Sequence, residues 1–251
     1  MFYNLDPSTL ANDDIEIISL LEGIKSAVSS DTVVQFAKGV DPLSDDASGI
    51  VPAVNAVKDA DLLILTLGDK SGLTPECTSG ETRDSATLRL PGMQEMLANA
   101  VLETGKPVVL VLTSGRPYEI GALAEKVNAV VHAWLPGEEG GNALADILFG
   151  DVNPGGRLPV TFPRSVGQVP INYNHKASGM KSNWWIDYMD ESVTPLYPFG
   201  FGLSYTQFEY HNFDVSASEG RSGDVVDISV TVKNVGDQAG DEVVQLYIRD
   251  E

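Results

Sequence analysis

The segment from Asp61 to Pro91, DLLILTLGDKSGLTPECTSGETRDSATLRLP, constrains the fold more than any other part of the sequence. It begins with a continuous apolar run, which is typical of a strand buried on both faces of a parallel sheet. The run breaks at Gly68 into a loop of glycine, serine, threonine and charged residues, and a helical pattern follows Pro91 and Gly92. Open α/β sheets carry functional residues in loops that leave the carboxyl end of a buried strand. We therefore expect a functional site in this loop.

Composition argues against several classes of partner. The chain has 251 residues and a formal net charge of 16 − 36 = −20. A surface this acidic repels nucleic acid and anionic membranes, so we expect neither as a partner. No apolar stretch approaches the roughly 20 residues of a membrane-spanning helix. The single cysteine, Cys77, allows no intrachain disulfide, and the histidines lack metal-binding spacing, so we expect no metal site.

Apolar strands alternate with amphipathic helices over the first 150 residues. This alternation predicts an α/β fold, a layered sandwich with a mostly parallel sheet flanked by helices. The predicted strands are Thr32–Phe36, Leu62–Leu67, Pro107–Leu112, Ala129–Trp134 and, at an edge, Leu158–Phe162. The predicted helices are one that follows the cap residues Asn12–Asp14, Ile50–Val57, one from Met93 that stops at Gly105, Ile120–Lys126 and Gly141–Phe149.

The pattern changes after Asp151, where helical periodicity is lost. From Phe208 onward, apolar and polar residues alternate, and we interpret Val226–Val232 and Val243–Ile248 as a β-hairpin of a sandwich-type domain. The sequence thus predicts three parts: an α/β sandwich domain over 1–163, a wrapping loop over 164–205 and an incomplete all-β domain over 206–251. Because the patterns at both ends are incomplete, we expect the chain to be a piece of a longer protein.

Glu81 is a candidate functional residue in the loop after the first long strand. A glutamate serves as a general acid near neutral pH when burial or a nearby negative charge helps it to keep its proton. A loop packed against another domain could provide these surroundings. The residues alone do not rank Glu81 above Glu76, Asp69 or Asp84, and each of the four could equally be a solvated surface carboxylate.

Other features have two interpretations each. The glycine-rich run Pro136–Asp146 could cradle a phosphate, but its two glutamates favour a tight turn that caps a helix. Trp184, beside Trp185, could cover a core or stack on a sugar ring. His175 could line a polar pocket in the same region. His132 lies within an apolar strand, which predicts a core position.

Four segments resemble glycoside hydrolase family 3, the β-glucosidase and β-xylosidase type. Their order and spacing match the family, and the likeness covers roughly residues 10–250. The segments are LGDKSGLTPECTSGETRDSATLRLPGMQ, TGKPVVLVLTSGRPYEI, AWLPGEEGGNALADILFGDVNPGGRLPVTFPRSVGQVP and YPFGFGLSYTQFEY. The third and fourth segments are highly specific to this family.

The resemblance implies a complete enzyme of three parts: an N-terminal barrel with the aspartate nucleophile, an α/β sandwich domain with the acid/base glutamate, and often a fibronectin type III-like domain. This sequence resembles most of the second part and the start of the third, so the missing barrel is an expected partner. Glu81 in SGETRDSATLRLPG falls on the family's acid/base position, with Glu76 as the fallback. The pattern departs from the family at Asp84-Ser85, where an Asp-Arg pair is usual, and an arginine stands earlier at Arg83.

The activity implied by the resemblance is retaining hydrolysis of an oligosaccharide or aryl β-glycoside with a terminal glucose, xylose or arabinose. Trp184 and His175 are candidate substrate contacts, and no metal or organic cofactor is required. Two other functions stay open. One is a non-catalytic carbohydrate-binding or interaction module of the same fold. The other is a nucleotide- or phosphate-binding α/β domain, which the acidic charge disfavours.

Overall fold

The computed structural model of the protein describes residues 17–174 and 188–249. These residues form two compact units: the first holds the residues up to Ala145 and Val160–Phe199, and the second holds Asp146–Pro159 and the residues from Gly200 onward. The helices and strands are α1 (Leu20–Ala27), α2 (Ile50–Val57), β1 (Leu63–Gly68), α3 (Gln94–Leu102), β2 (Val108–Thr113), α4 (Gly121–Ala124), β3 (Ala129–His132), α5 (Gly140–Phe149), a 3-10 turn (Val166–Gln168), β4 (Phe208–Val215) and β5 (Ile228–Asn234).

A parallel sheet forms the centre of the first unit, with described strands in the order β1-β2-β3. Leu65 pairs with Leu110, and Leu110 pairs with Val130. Strand β2 is buried on both faces, and Leu110 and Leu112 have no exposed surface. Each such leucine contributes roughly 1.5–3 kcal/mol of burial free energy. The predicted α/β fold with a parallel sheet is therefore confirmed.

The core of the first unit lies between this sheet and helices α2 and α3. Val57 of α2 and Leu97 and Val101 of α3 join the strand residues in one buried cluster. Because parallel strands need crossover connections, each helix brings the chain back to the amino end of the next strand. The carboxyl ends of β1 and β2 consequently lie side by side, and the loops that follow them can contact each other.

Helix α1 begins at Leu20 because Ser19 and Glu22 form a capping box. The Glu22 amide donates to Ser19 Oγ at 3.3 Å, and the Ser19 amide donates to Glu22 Oε2 at 2.8 Å. The cap lies later in the sequence than predicted. The predicted cap residues Asn12–Asp14 lie outside the described residues.

The second unit contains an antiparallel pair of strands. Strand β4 pairs with β5 from Phe208 opposite Asn234 to Val215 opposite Ile228, with an irregularity inside the ladder. The prediction of β-structure at this end is correct, but the predicted pairing is wrong, because β5 pairs with β4 and Val243–Ile248 forms no strand. The assignment of this unit to a fibronectin type III-like domain stays a prediction.

Two other predicted strands are also wrong. Thr32–Phe36 is irregular and mostly exposed, and Leu158–Phe162 contributes only a single bridge, between Phe162 and Tyr197. Both segments have β-type residues, but a strand also needs a neighbour that pairs with it along its length. Thr32–Phe36 has none among residues 17–174 and 188–249. In the same part of the chain, Leu158–Phe162 forms backbone hydrogen bonds only at its ends, Leu158 with Gly200 and Phe201, and Phe162 with Leu196 and Tyr197. The predicted domain bounds at 163 and 205 stay predictions.

Candidate functional site

Glu81 lies in the loop that joins β1 to α3, and its side chain is exposed on the first unit. The residues on either side have backbone conformations with positive φ, +121° at Gly80 and +64° at Thr82. The value at Thr82 is unusual because a β-branched residue is strained in the left-handed region, at a cost of roughly 1–2 kcal/mol. The Glu81 carboxylate makes no hydrogen bond or ion pair with any other described residue. The loop therefore holds this exposed carboxylate in a sharp turn.

Backbone hydrogen bonds close the base of this loop. The Thr78 amide donates to the Lys70 carbonyl at 2.8 Å, and the Gly72 amide donates to the Ser79 carbonyl at 3.0 Å. The Thr78 hydroxyl accepts a hydrogen bond from the Lys70 amide at 3.0 Å. These bonds join the outgoing chain after β1 to the returning chain just before Glu81. Glu81 thus follows directly after a closed subloop over residues 70–79, next to the bonds that close it.

Asp69 links the base of the loop to the neighbouring strand. Its backbone amide donates to the Thr113 carbonyl at the end of β2, at 2.8 Å. Its Oδ1 accepts a hydrogen bond from the Thr78 hydroxyl at 2.8 Å and a short one from the Tyr118 hydroxyl. Burial and the hydrogen bond to Asp69 raise the pKa of Tyr118 above its usual value. Tyr118 therefore stays a neutral hydrogen-bond donor to Asp69.

Arg116 contacts the same loop from the segment that follows β2. Its Nη2 donates to the carbonyl of Arg83 at 2.8 Å and to the carbonyl of Thr78 at 3.3 Å. Gln94, the first residue of α3, fixes the ends of the loop, since its side-chain amide bonds to the backbone of Gly68 and of Pro91. The Glu81 loop is therefore held by groups from β1, the β2 loop and α3.

The fallback candidate Glu76 has different surroundings. Its Oε2 lies 3.4 Å from Lys70 Nζ, and its side chain is 78% exposed. No hydrogen bond or ion pair among the described residues joins Glu76 to Glu81, so the structure places the two in one loop without pairing them. Asp84 is also exposed. Of the loop carboxylates, Asp69 has its contacts inside the fold, whereas the exposed Glu81 side chain has no partner among the described residues.

His132 lies at the end of β3 in an aromatic cluster. Its ring meets the rings of Trp134 and Phe162 edge-on, with centroids 4.1 and 5.1 Å away. Burial lowers the pKa of His132 to about 4, and a weak interaction with the backbone of Arg116 opposes that shift only in part. The ring nitrogens make no regular hydrogen bond to a described residue. His132 is thus a neutral packing residue, and its ring is not satisfied by hydrogen bonds.

The two predicted substrate contacts, Trp184 and His175, lie outside the described residues, and their roles stay predictions. A cavity of about 160 Å³ lies at the carboxyl end of β1 and is lined in part by Thr66, Asp69 and Gln94. Small-molecule sites usually have roughly 300–1,000 Å³, so this cavity is too small to enclose an oligosaccharide.

Within residues 17–174 and 188–249, no three or more His, Cys, Asp and Glu side chains are placed to hold a metal ion together. The helices of this part of the chain are also too short or too polar to cross a bilayer.

The sequence analysis missed the residues that hold the loop in place. Arg116, Tyr118 and Gln94 each contact it, and none was selected as a candidate. A signal was available for the first two, because they follow the second buried strand just as the Glu81 loop follows the first. Loops at the same end of adjacent parallel strands are expected to meet.

Comparison with known proteins identifies the family. Residues 7–205 match the glycosyl hydrolase family 3 C-terminal domain. This match covers more than half of the chain, and it includes the β1–α3 loop with Glu81. The chain belongs to glycoside hydrolase family 3, which confirms the resemblance seen in the sequence motifs.

Relatives named β-xylosidase and β-glucosidase align with almost the whole chain. A β-xylosidase of Formosa agariphila is 40% identical over 93% of this chain and 32% of its own length. A periplasmic β-glucosidase of Salmonella typhimurium is 37% identical over 93% of this chain and 33% of its own length. The chain therefore spans about a third of the length of these relatives. These enzymes are glycoside hydrolases.

A solved structure supports the same assignment. The β-glucosidase of Listeria innocua in complex with isofagomine superposes with a TM-score of 0.77 at 35% sequence identity. The superposition covers 89% of this chain and 31% of that enzyme. The α/β architecture of the chain is thus similar to that of one part of a β-glucosidase of known structure.

Proposed function

We propose that this chain is the C-terminal part of a retaining β-glycosidase and that Glu81 is its general acid/base. The nucleophile would lie on a barrel domain outside residues 1–251. The substrate would be an oligosaccharide or aryl β-glycoside with a terminal non-reducing glucose or xylose. The observation that carries the proposal is the Glu81 carboxylate, exposed and without a partner among the described residues, in a loop that groups from β1, the β2 loop and α3 hold in place.

The chemistry needs two carboxyl groups about 5–5.5 Å apart across the scissile bond. In the first step the nucleophile attacks the anomeric carbon while the bond to the leaving oxygen breaks, and Glu81 gives its proton to that oxygen. In the second step water attacks the anomeric carbon and the bond to the nucleophile breaks, while the Glu81 carboxylate takes the proton from water. Glu81 thereby returns to its protonated form, and no metal or cofactor takes part.

The rest of the chain fits the same proposal. Relatives about three times as long as this chain align with 93% of it. Their extra length supports a further domain in the active enzyme. The β4–β5 pair would be the beginning of a fibronectin type III-like domain. An exposed Glu81 on the first unit supports an acid/base group that works in a cleft completed by another domain.

The test of the acid/base role is Glu81→Gln in the parent enzyme, which is the longer protein with a barrel that this proposal requires. Turnover of substrates with poor leaving groups should fall by about 10²–10⁴, because they depend on proton donation. Substrates with activated aryl leaving groups should lose far less in kcat/KM. In Glu81→Ala, added azide should restore turnover, because azide attacks the glycosyl-enzyme without a general base. The matched control is Glu76→Gln, which should leave both substrate classes nearly unchanged.

If E81Q loses the same factor of activity with good and with poor leaving groups, another residue must be the acid/base. The location of the nucleophile has a separate test, in which purified 1–251 is assayed with aryl β-glucosides. Turnover at an ordinary glycosidase rate by this chain alone would contradict the proposal that the nucleophile lies outside residues 1–251. A gene for the parent protein that encodes no barrel domain would contradict it as well. Sugar binding by 1–251 without any turnover in the parent protein would instead indicate a carbohydrate-binding module.

A further inference from the structure

We propose that Arg116 is a positioning residue for Glu81. Its guanidinium group would hold the turn that presents the Glu81 carboxyl group through hydrogen bonds to backbone carbonyls. This inference rests on the proposed acid/base role of Glu81. It adds to the site a residue that does not contact the reacting atoms.

The contacts of Arg116 bracket the turn. One nitrogen, Nη2, binds the Thr78 carbonyl before the turn at 3.3 Å and the Arg83 carbonyl after it at 2.8 Å. Residues 79–82, including Glu81, lie between these two anchors. A single planar group that binds both ends of a four-residue segment limits how far the segment can move. Such a constraint matters at Thr82, where the strained backbone would otherwise relax.

Arg116 is itself anchored to the rigid sheet. Ser114, which is fully buried, accepts a hydrogen bond from the Arg116 amide at 3.0 Å and donates one to the Arg116 carbonyl at 2.5 Å. The Ser114 amide donates in turn to the Trp134 carbonyl, just beyond β3, at 2.9 Å. The Arg116 side chain thus connects the turn to the ends of strands β2 and β3. Sites held by the scaffold in this way keep their geometry better than free loops.

The role of Arg116 is geometric. Its side-chain acceptors are neutral carbonyls, and no described carboxylate forms an ion pair with it. The Asp69–Tyr118 pair supports the same segment through a side chain, since the Thr78 hydroxyl donates to Asp69 Oδ1 at 2.8 Å. If Arg116 is removed, the backbone hydrogen bond left among the described residues at the end of the turn after Glu81 is the local one from the Arg83 amide to the Gly80 carbonyl, at 3.1 Å. The carboxyl group would then sample positions away from the leaving oxygen.

The test compares Arg116→Met with Arg89→Met in the parent enzyme. Arg89 lies downstream in the same loop, but its side chain is 67% exposed and pairs with Glu95 at 2.6 Å. R116M should lower kcat/KM for poor leaving groups by about 10–100-fold, because a displacement of about 1 Å at a catalytic group costs that much. Activated aryl glycosides should lose less than about 3-fold, because they need little proton donation. R89M should change neither value, and R116K, which keeps a donor, should recover part of the loss.

A second readout follows the turn directly. Amide hydrogen exchange at Thr78 and Arg83, whose amides donate to the carbonyls of Lys70 and Gly80, should be about 10-fold faster in R116M than in R89M, with β2 unchanged, because the lost Arg116 hydrogen bonds favour local opening. If R116M does not fold, R116Q replaces it, because the shorter amide cannot reach both carbonyls.

Equal losses for both classes of leaving group in R116M, or unchanged exchange at the Thr78 and Arg83 amides, would refute the positioning role. The E81Q experiment separates the two proposals. If E81Q shows no dependence on the leaving group, the acid/base assignment fails. If E81Q shows that dependence and R116M does not, only the inference about Arg116 fails.

Discussion

The side chain of Gln94 binds both backbone groups of Gly68. Its Oε1 accepts from the Gly68 amide at 2.7 Å, and its Nε2 donates to the Gly68 carbonyl at 2.8 Å. The same Nε2 donates to the carbonyl of Pro91 at 3.0 Å. Gly68 ends β1 and Pro91 precedes α3, so one buried amide joins the two ends of the loop that carries Glu81. A glutamine at the first residue of α3 thus sets the width of the loop base.

Gln94→Leu should lower the free energy of unfolding by about 2–4 kcal/mol. The substitution removes three hydrogen bonds and leaves the amide and carbonyl of Gly68 buried without partners. Urea denaturation of the chain measures the change. The matched control is Gln245→Leu, because Gln245 donates to the Gly200 carbonyl at an exposed position and should cost less than about 0.5 kcal/mol. Equal effects of the two substitutions would contradict the anchoring role of Gln94.

His132 should make the stability of the fold depend on pH below neutrality. Burial lowers its pKa to about 4, whereas the unfolded chain takes up the proton near 6.5. The unfolded state therefore binds more protons between these values, and the free energy of unfolding falls as the pH drops from 6.5 toward 4. After a discount for partial exposure, we expect a loss of about 2 kcal/mol.

Denaturation at several pH values between 4 and 7 measures this dependence. His132→Leu should flatten the profile, because the apolar side chain packs among the same aromatic rings and does not titrate. His211→Leu is the matched control, because it removes an exposed histidine of β4 and leaves His132 in place. A profile that H132L leaves unchanged would show that other groups cause the acid sensitivity.

Tyr118 should give a corresponding sensitivity at alkaline pH. Its pKa is raised by burial and by the hydrogen bond to Asp69, so the folded chain keeps the phenol proton when the unfolded chain has lost it above pH 10. The free energy of unfolding should therefore fall as the pH rises through 10. Tyr118→Phe should remove this loss, at a cost of about 1–2 kcal/mol near neutrality for the missing hydrogen bond. Denaturation followed at pH 8 and above pH 10 tests both parts, and an unchanged alkaline slope in Y118F would contradict the assignment.

Much of the fold could be predicted from local pattern. The apolar runs predict β1, β2 and β3 within two residues and α2 at its observed bounds. The signal is clearest for β2, because burial on both faces leaves a continuous apolar run in the sequence. Thr32–Phe36 and Val243–Ile248 have equally good strand composition and form no strand. Unlike these two segments, β1, β2 and β3 each have a neighbouring strand that pairs with them in register, and composition does not reveal such a partner.

The chain by itself determined the parallel α/β class, the family and the loop in which a functional carboxylate should lie, since these depend on the order of residues along the backbone. Tertiary structure alone decided which groups hold that loop. Arg116 binds carbonyls 33 and 38 residues away, at Arg83 and Thr78. Such contacts arise because adjacent parallel strands bring their carboxyl ends together, and the strand register, set by packing of the whole sheet, selects the partners.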